Sequence, residues 1–126
     1  MMDIRIPSMS LLAAWMIVLL YYSIIPTIPG TGGAGNLHLP AYFVLAVLLF
    51  SVLHTKHDFR RSVFAAIMLS TYYGLLLEGI QFFAPGRVMA AEDILINLAG
   101  SCFALLFVPV LARRPIQINK TIENKE

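Results

Sequence analysis

The stretch that decides the fold is residues 78–100, which read EGIQFFAPGRVMAAEDILINLAG. It holds most of the side chains that can do chemistry, because the long apolar segments elsewhere carry almost no ionisable groups. Two polar pairs occur here at helical spacings of three and four residues: Glu78 with Gln81, and Asp93 with Asn97. Each pair lies on one face of a helix, and Arg87 lies in the turn between the two helices. The sequence therefore predicts two polar faces that converge on one arginine.

The composition indicates a membrane protein. Of the 126 residues, 59% are hydrophobic and 13% are charged, whereas about 25% are charged in typical soluble domains. The mean hydropathy is +0.79, and most charges fall in short clusters between apolar runs. The net charge of +2 is small and split between loops, which excludes nucleic acid as a partner.

Four apolar segments approach the roughly 20 residues that a membrane-spanning helix needs. They cover residues 9–25, 37–53, 62–83 and 93–112. We therefore predict an all-α membrane protein, a bundle of four transmembrane helices in one domain over residues 1–112. Residues 113–126 are predicted to form a polar cytoplasmic tail.

The other motifs of the chain predict no cofactor and no metal site. Residues 30–35 match G-x-G-x-x-G, but this pattern cradles phosphate only between a strand and a helix, and here a membrane span precedes it. Cys102 is the single cysteine, so there is neither an internal disulfide nor a thiol pair for a metal. No known motif for a nucleophile is present.

The distribution of Lys and Arg predicts the orientation in the membrane. Arg5 precedes the first segment, the first loop has none, the second loop has three, the third has only Arg87, and the tail has four. By the positive-inside rule both termini and the second loop face the cytoplasm, and the first and third loops face outward. The polar residues of the opening stretch then lie at the outer surface, where four helix ends meet.

His38 and Tyr42 add to this outer site, one turn apart at the entrance of the second segment. The candidates for proton transfer are Glu78, Asp93 and His38, and the candidates for substrate binding are Arg87, Gln81, Asn97 and Tyr42. Two interpretations stay open. In one, these residues form a structural cluster that fixes helix packing. In the other, Arg87 holds an anionic head group while a neighbouring acid or histidine moves protons.

The same residues resemble the VanZ-like family of membrane proteins, whose motif runs E-x-x-Q-x-F-x-P-x-R and then D-x-x-x-N-x-x-G. The first part is matched by Glu78, Gln81, Phe83, Pro85 and Arg87, and the second by Asp93, Asn97 and Gly100. Where family members have an acidic–basic pair shortly before the histidine, this chain has Asn36 and Leu37. The resemblance covers about residues 10–112. It implies an integral protein of a prokaryotic cell membrane, in a family named after a protein associated with low-level teicoplanin resistance.

Two hypotheses for the function follow, and the sequence does not decide whether the protein is an enzyme. In the first, the protein is a cell-envelope factor that binds or modifies an anionic lipid-linked group, with membrane lipids or lipid-linked envelope precursors as its partners. In the second, it is a non-enzymatic accessory protein. The small residues Gly100, Ser101 and Ala104 would allow close approach of a neighbouring helix, and a second copy of the chain is a candidate partner. Transport of a solute is disfavoured, because the chain shows no inverted repeat.

Overall fold

The computed structural model describes residues 5–26, 35–87 and 90–109. Within these ranges the chain is entirely helical, without strands. The helices are α1 (Arg5–Ile24), α2 (Gly35–Leu53), α3 (Phe59–Gln81) and α4 (Ala91–Phe103). A single 3-10 turn, Ala104–Leu106, follows α4. The predicted all-helical fold class is confirmed.

The helix bounds agree with the first three predicted segments, but the fourth differs. It was predicted as one helix over residues 93–112, whereas α4 ends at Phe103 and tightens into the 3-10 turn. Residues 108 and 109 are again helical. Pro109 lacks an amide donor and its ring crowds the carbonyl of residue 105, four positions earlier, which favours a change in backbone geometry between α4 and residue 108. Residues 110–112 and the predicted tail at 113–126 lie outside the described residues.

Helix length and composition support one membrane span within the described residues. Phe59–Gln81, with 23 residues, is long and apolar enough to cross a membrane. The apolar stretches Ser8–Ile24 and Leu37–Leu53 are shorter than this test requires, and α4 has 13 residues. Helix length and composition therefore support one span and do not by themselves establish four.

A stripe of small and polar residues on α3 lies at the centre of the packing. Ser62, Ala66, Ser70, Gly74 and Glu78 recur every four residues, so they share one face of α3, and all five are buried. Small side chains let the backbones of neighbouring helices approach closely. Accordingly α3 packs directly against both α2 and α4.

A hydrogen bond between two serine hydroxyl groups joins α3 to α4 along this stripe. The Ser70 and Ser101 hydroxyl groups lie 2.8 Å apart, and Ser101 Oγ is also 2.9 Å from the backbone oxygen of Asn97. Both serines are fully buried. The hydrogen bonds satisfy polar groups that would otherwise be costly to bury.

Two glycines set the distances between helices on the same side of the bundle. A Cβ atom at Gly100 would collide with the backbone oxygen of Leu39, so α4 lies directly on the backbone of α2 there. A Cβ atom at Gly74 would lie 2.9 Å from both Asn97 Nδ2 and the ring of Tyr42. The expected close helix approach at Gly100 is thus confirmed, with α2 as the neighbour.

Helix α1 packs against α2 and α3 and is held there by two long-range hydrogen bonds. Trp15 Nε1 donates to the backbone oxygen of Ala41 at 3.1 Å, and Tyr73 Oη donates to that of Met16 at 2.7 Å. Buried tryptophan and tyrosine side chains need such partners for their polar atoms.

We expect Gly100→Ala to destabilise the fold and Gly79→Ala to be tolerated. The added methyl group at position 100 must push α4 away from the Leu39 backbone, and overpacking of this kind costs about 1–3 kcal/mol or more. A Cβ atom at Gly79 meets nothing within 4 Å, and alanine favours the helix there. The midpoint of thermal unfolding of each purified variant in detergent checks this. Equal midpoints for the two variants would contradict the packing argument.

Candidate functional site

Three helix ends meet around one polar cluster. His38 lies in the first turn of α2, Glu78 in the last turn of α3, and Asp93 in the first turn of α4. One ring nitrogen of His38 and one carboxylate oxygen each from Glu78 and Asp93 all lie within 4.8 Å of one another. Three titratable side chains from three helices therefore share one small volume.

His38 is fixed in this cluster by two neighbours. Its Nδ1 is 3.0 Å from Asn97 Oδ1, and its ring stacks on that of Tyr42, with centroids 6.2 Å apart and planes inclined by 11°. An amide oxygen only accepts hydrogen bonds, so Nδ1 carries the proton in this arrangement. The Tyr42 ring is buried against α3 beside Gly74.

Glu78 and Asn97 are almost completely removed from solvent, each with 1% of its surface exposed. The backbone N–H of Ala90 interacts with the Glu78 carboxylate, whereas Glu78 Oε2 and Asn97 Nδ2 have no hydrogen-bond partner within the described residues. A buried polar atom without a partner is energetically costly. Such atoms are expected where a ligand completes the site.

The turn after α3 determines where Arg87 lies. The Arg87 amide donates to the oxygen of Ala84 at 3.3 Å, and Gly86 has a φ of 79°, the geometry of a type II turn with Pro85 and Gly86 at its centre. Glycine suits this position because side chains disfavour positive φ.

The Arg87 side chain binds the end of α1 in this structure. Its Nη2 donates to the backbone oxygen of Tyr22 at 2.7 Å and its Nε to that of Ile25 at 3.3 Å. The last carbonyls of a helix lack partners within it, so Arg87 caps α1. The sequence predicted convergence of the carboxylates on this arginine. Within the described residues, however, the ion pair formed is Arg61 with Asp58, and Arg87 pairs with neither Glu78 nor Asp93.

A cleft of about 420 Å³ opens beside the cluster, between α1, α2 and α3. Its wall is mostly apolar and includes Trp15, Leu19 and Leu77, whereas His38, Gln81 and Arg87 form its polar end. This volume lies within the range of small-molecule sites, about 300–1,000 Å³. His38 belongs to both the cleft and the cluster.

The seven predicted site residues are thus brought to one end of the bundle. His38, Glu78, Asp93 and Asn97 surround the cluster, Gln81 and Arg87 lie at the mouth of the cleft, and Tyr42 contributes to both. The α1 wall of the cleft, including Trp15, was not predicted from the sequence. A tryptophan in the middle of an apolar segment was the available signal, because its N–H requires an acceptor on another helix.

We expect Arg87→Gln to lower stability more than Arg61→Gln does. Hydrogen bonds from a charged donor contribute about 1.5–3 kcal/mol, and the substitution leaves the carbonyls of Tyr22 and Ile25 without their partner. Arg61 pairs with Asp58 on the surface, and exposed pairs contribute about 0–1 kcal/mol. Thermal unfolding in detergent checks the order. Equal losses for both variants would contradict the capping role.

Comparison with known proteins gives one family match. The family model described as VanZ/LLP1 matches residues 6–112, which is 107 of the 126 residues. A search of curated proteins found no match, and a search of solved structures found none. The matched range includes all four helices apart from Arg5, the first residue of α1, and every residue of the cluster and cleft named above. The chain therefore belongs to the VanZ/LLP1 family.

Proposed function

We propose that the chain is a multi-pass protein of a prokaryotic cell membrane that binds or modifies an anionic lipid-linked group at the outer surface. The observation that carries this proposal is the cleft, because its apolar wall ends in polar side chains directly beside the buried cluster. In this proposal the bundle has four spans and both termini are cytoplasmic.

The distribution of polar and apolar side chains supports the membrane location. Among the described residues, eight hydrophobic and seven polar or charged side chains are buried, so the interior is about as polar as it is apolar. The outer surface, in contrast, exposes large apolar side chains on every helix, among them Ile17, Leu37, Phe64 and Leu95. Large exposed apolar surfaces mark contact with another molecule or with lipid. The apolar stretches Ser8–Ile24 and Leu37–Leu53 have 17 residues each and extend about 26 Å. Modest thinning of a hydrocarbon core of about 30 Å accommodates this length.

The shape of the cleft suits an amphiphile. Its α1 wall runs from Trp15 to Ser23, about 12 Å along the helix axis. Along this length an acyl or isoprenoid chain can lie against apolar side chains, while its head group lies at the polar end near Arg87 and Gln81. The positive-inside orientation puts this end at the outer surface.

The charges at the polar end favour an anionic head group. A guanidinium has five N–H donors, and the hydrogen bonds of Arg87 to α1 use two of them. Phosphate and carboxylate oxygens match the remaining fork of donors. Gln81, 5% exposed and also at the cleft, adds a neutral hydrogen-bonding group.

The cluster supplies groups that can move a proton. His38 faces the cleft and lies within hydrogen-bonding reach of carboxylates on α3 and α4 after small side-chain rotations. A histidine oriented by a second residue, here Asn97, is a common arrangement for acid–base chemistry. This supports a modifying role in addition to binding.

The topology is tested by reporters fused after Glu126. Because the second loop and the tail carry seven of the nine Lys and Arg residues, we expect a fluorescent protein at this position to fluoresce and a periplasmic-type phosphatase to stay inactive. The opposite result would put the cluster at the cytoplasmic surface and overturn the outer-surface proposal.

Mass spectrometry of lipids tests the function. Total lipids and lipid-linked envelope precursors are compared between cells with the native chain, with Glu78→Gln and with Glu92→Gln at matched membrane levels. Glu92 is exposed one residue before Asp93 and is the matched control. We expect a new or depleted anionic species with the native chain and Glu92→Gln, and its absence with Glu78→Gln.

Identical lipid profiles in all strains would contradict a modifying role. Binding without modification is then tested by identifying the lipids that co-purify with the chain. Absence of a bound anionic amphiphile as well would contradict the proposal. A link to teicoplanin resistance rests on the family resemblance alone. The susceptibility of the same strains to teicoplanin tests it.

The second candidate function is that of a non-enzymatic accessory protein with a structural cluster. The observation that favours it is the use of polar side chains as links between helices: Arg87 caps α1, and His38 on α2 bonds to Asn97 on α4. Under this alternative Glu78→Gln would lower the amount of folded protein in the membrane and leave the lipids of the remaining protein unchanged.

A further inference from the structure

We infer that His38, Glu78 and Asp93 form a binding site for one divalent transition-metal cation such as zinc or manganese. This site consists of side chains of the chain itself and does not require the cleft to bind lipid. The sequence alone predicts no metal site. The three residues come from three helices, so no local spacing motif reveals them.

The donor set suits such a cation. It combines one imidazole nitrogen with two carboxylate oxygens, a mixture that zinc and manganese accept, whereas calcium and magnesium prefer oxygen alone. The three donor atoms lie within 4.8 Å of one another. Zinc ligands lie about 2.0–2.2 Å from the ion, so small side-chain rotations bring the three donors into its coordination sphere. Three protein ligands leave at least one coordination position for water or a substrate oxygen.

An independent observation is that the Glu78 carboxylate is buried and has an oxygen without a hydrogen-bond partner among the described residues. Its side chain is 1% exposed, and Oε2 has no hydrogen-bond partner within the described residues. A buried carboxylate needs a compensating charge or a proton. The nearest candidate cation by sequence, Arg87, instead has hydrogen bonds to the carbonyls at the end of α1. A metal ion between Glu78, Asp93 and His38 supplies the missing partner.

The environment of His38 matches that of metal-binding histidines. Such histidines usually donate their second ring N–H to an oxygen atom, which fixes the ring and its tautomer. Here Nδ1 is held by Asn97 Oδ1 at 3.0 Å, which leaves Nε2 as the nitrogen with an available lone pair. Asn97 is therefore a positioning residue for the metal site.

The position of the site also suggests what the ion does, and this step rests on the proposed function. His38 lines the cleft, so a cation bound to it lies next to the polar end where Arg87 is located. A bound cation attracts an anionic head group, and its open position can accept an oxygen of that group.

The test uses the purified full-length chain in detergent. Metal is removed with a chelator, and the chain is then dialysed against zinc chloride or manganese chloride before its metal content is measured by mass spectrometry. We expect about one ion per native chain, the same for Glu92→Gln, and affinities at least about tenfold weaker for Glu78→Gln and His38→Gln. Asn97→Ala, which removes the hydrogen-bond partner of His38, is expected to bind about 10–100-fold more weakly than the native chain.

Substitution of cobalt into the native chain gives a readout that needs no variant. Visible absorption bands of cobalt bound by nitrogen and oxygen ligands support the site even where Glu78→Gln fails to fold. A native chain that retains no zinc or manganese and gives no cobalt bands overturns the inference. So does a folded Glu78→Gln chain that binds as tightly as the native one.

The two proposals fail in distinguishable ways. Metal binding without any change in cellular lipids supports this site and contradicts the lipid-modifying role. Lipid changes that depend on Glu78 in a chain that binds no metal support the proposed function and overturn the metal site.

Discussion

The contact between Gly100 on α4 and the backbone of Leu39 on α2 is the constraint on which the site depends. Because no side chain separates the two helices there, neighbouring residues on each helix are drawn together. Asn97, three residues before Gly100, therefore reaches His38, one residue before Leu39, across a single hydrogen bond. A larger residue at position 100 would push α4 away from α2 and so lengthen the distance between these partners.

The stripe of small and polar residues on α3 also brings the site residues together, because it lets α3 pack closely against α2 and α4. Its small residues, from Ser62 to Gly74, keep the helices close for three turns, and the stripe then ends in the carboxylate of Glu78. Close packing along α3 thus positions the carboxyl group of Glu78 where α2 and α4 begin. Apolar packing is concentrated at the opposite end, around Phe50, Ala66 and Val108. The bundle is divided into an apolar end that stabilises it and a polar end that carries the candidate chemistry.

Much of this arrangement could be predicted from the sequence, because it depends on local patterns. Apolar run lengths gave the order of the helices, and the spacing of Glu78 with Gln81 and of Asp93 with Asn97 indicated which faces are polar. The direction of the Arg87 side chain could not be predicted, since it depends on unpaired carbonyls at the end of a helix more than 60 residues earlier. The residue at which α4 ends, Phe103, could not be predicted, because the apolar run extends to residue 112 and Pro109 indicates a disturbance of the last turns without fixing where it begins. The grouping of His38 with the two acids required the relative rotation of three helices, which no spacing within one helix encodes.

The way in which α1 is attached to the bundle determines which substitutions this helix tolerates. Apart from the Trp15 side chain, the anchors of α1 are backbone oxygens: Tyr73 donates to that of Met16, and Arg87 donates to those of Tyr22 and of Ile25, just after the helix. A carbonyl oxygen is the same whichever side chain its residue bears, so these anchors do not select particular amino acids on α1. Exchange of one apolar residue for another along the outer face of α1 leaves its anchors intact, and natural or engineered diversity can accumulate there. Helix α3, whose stripe must stay small, has no such freedom.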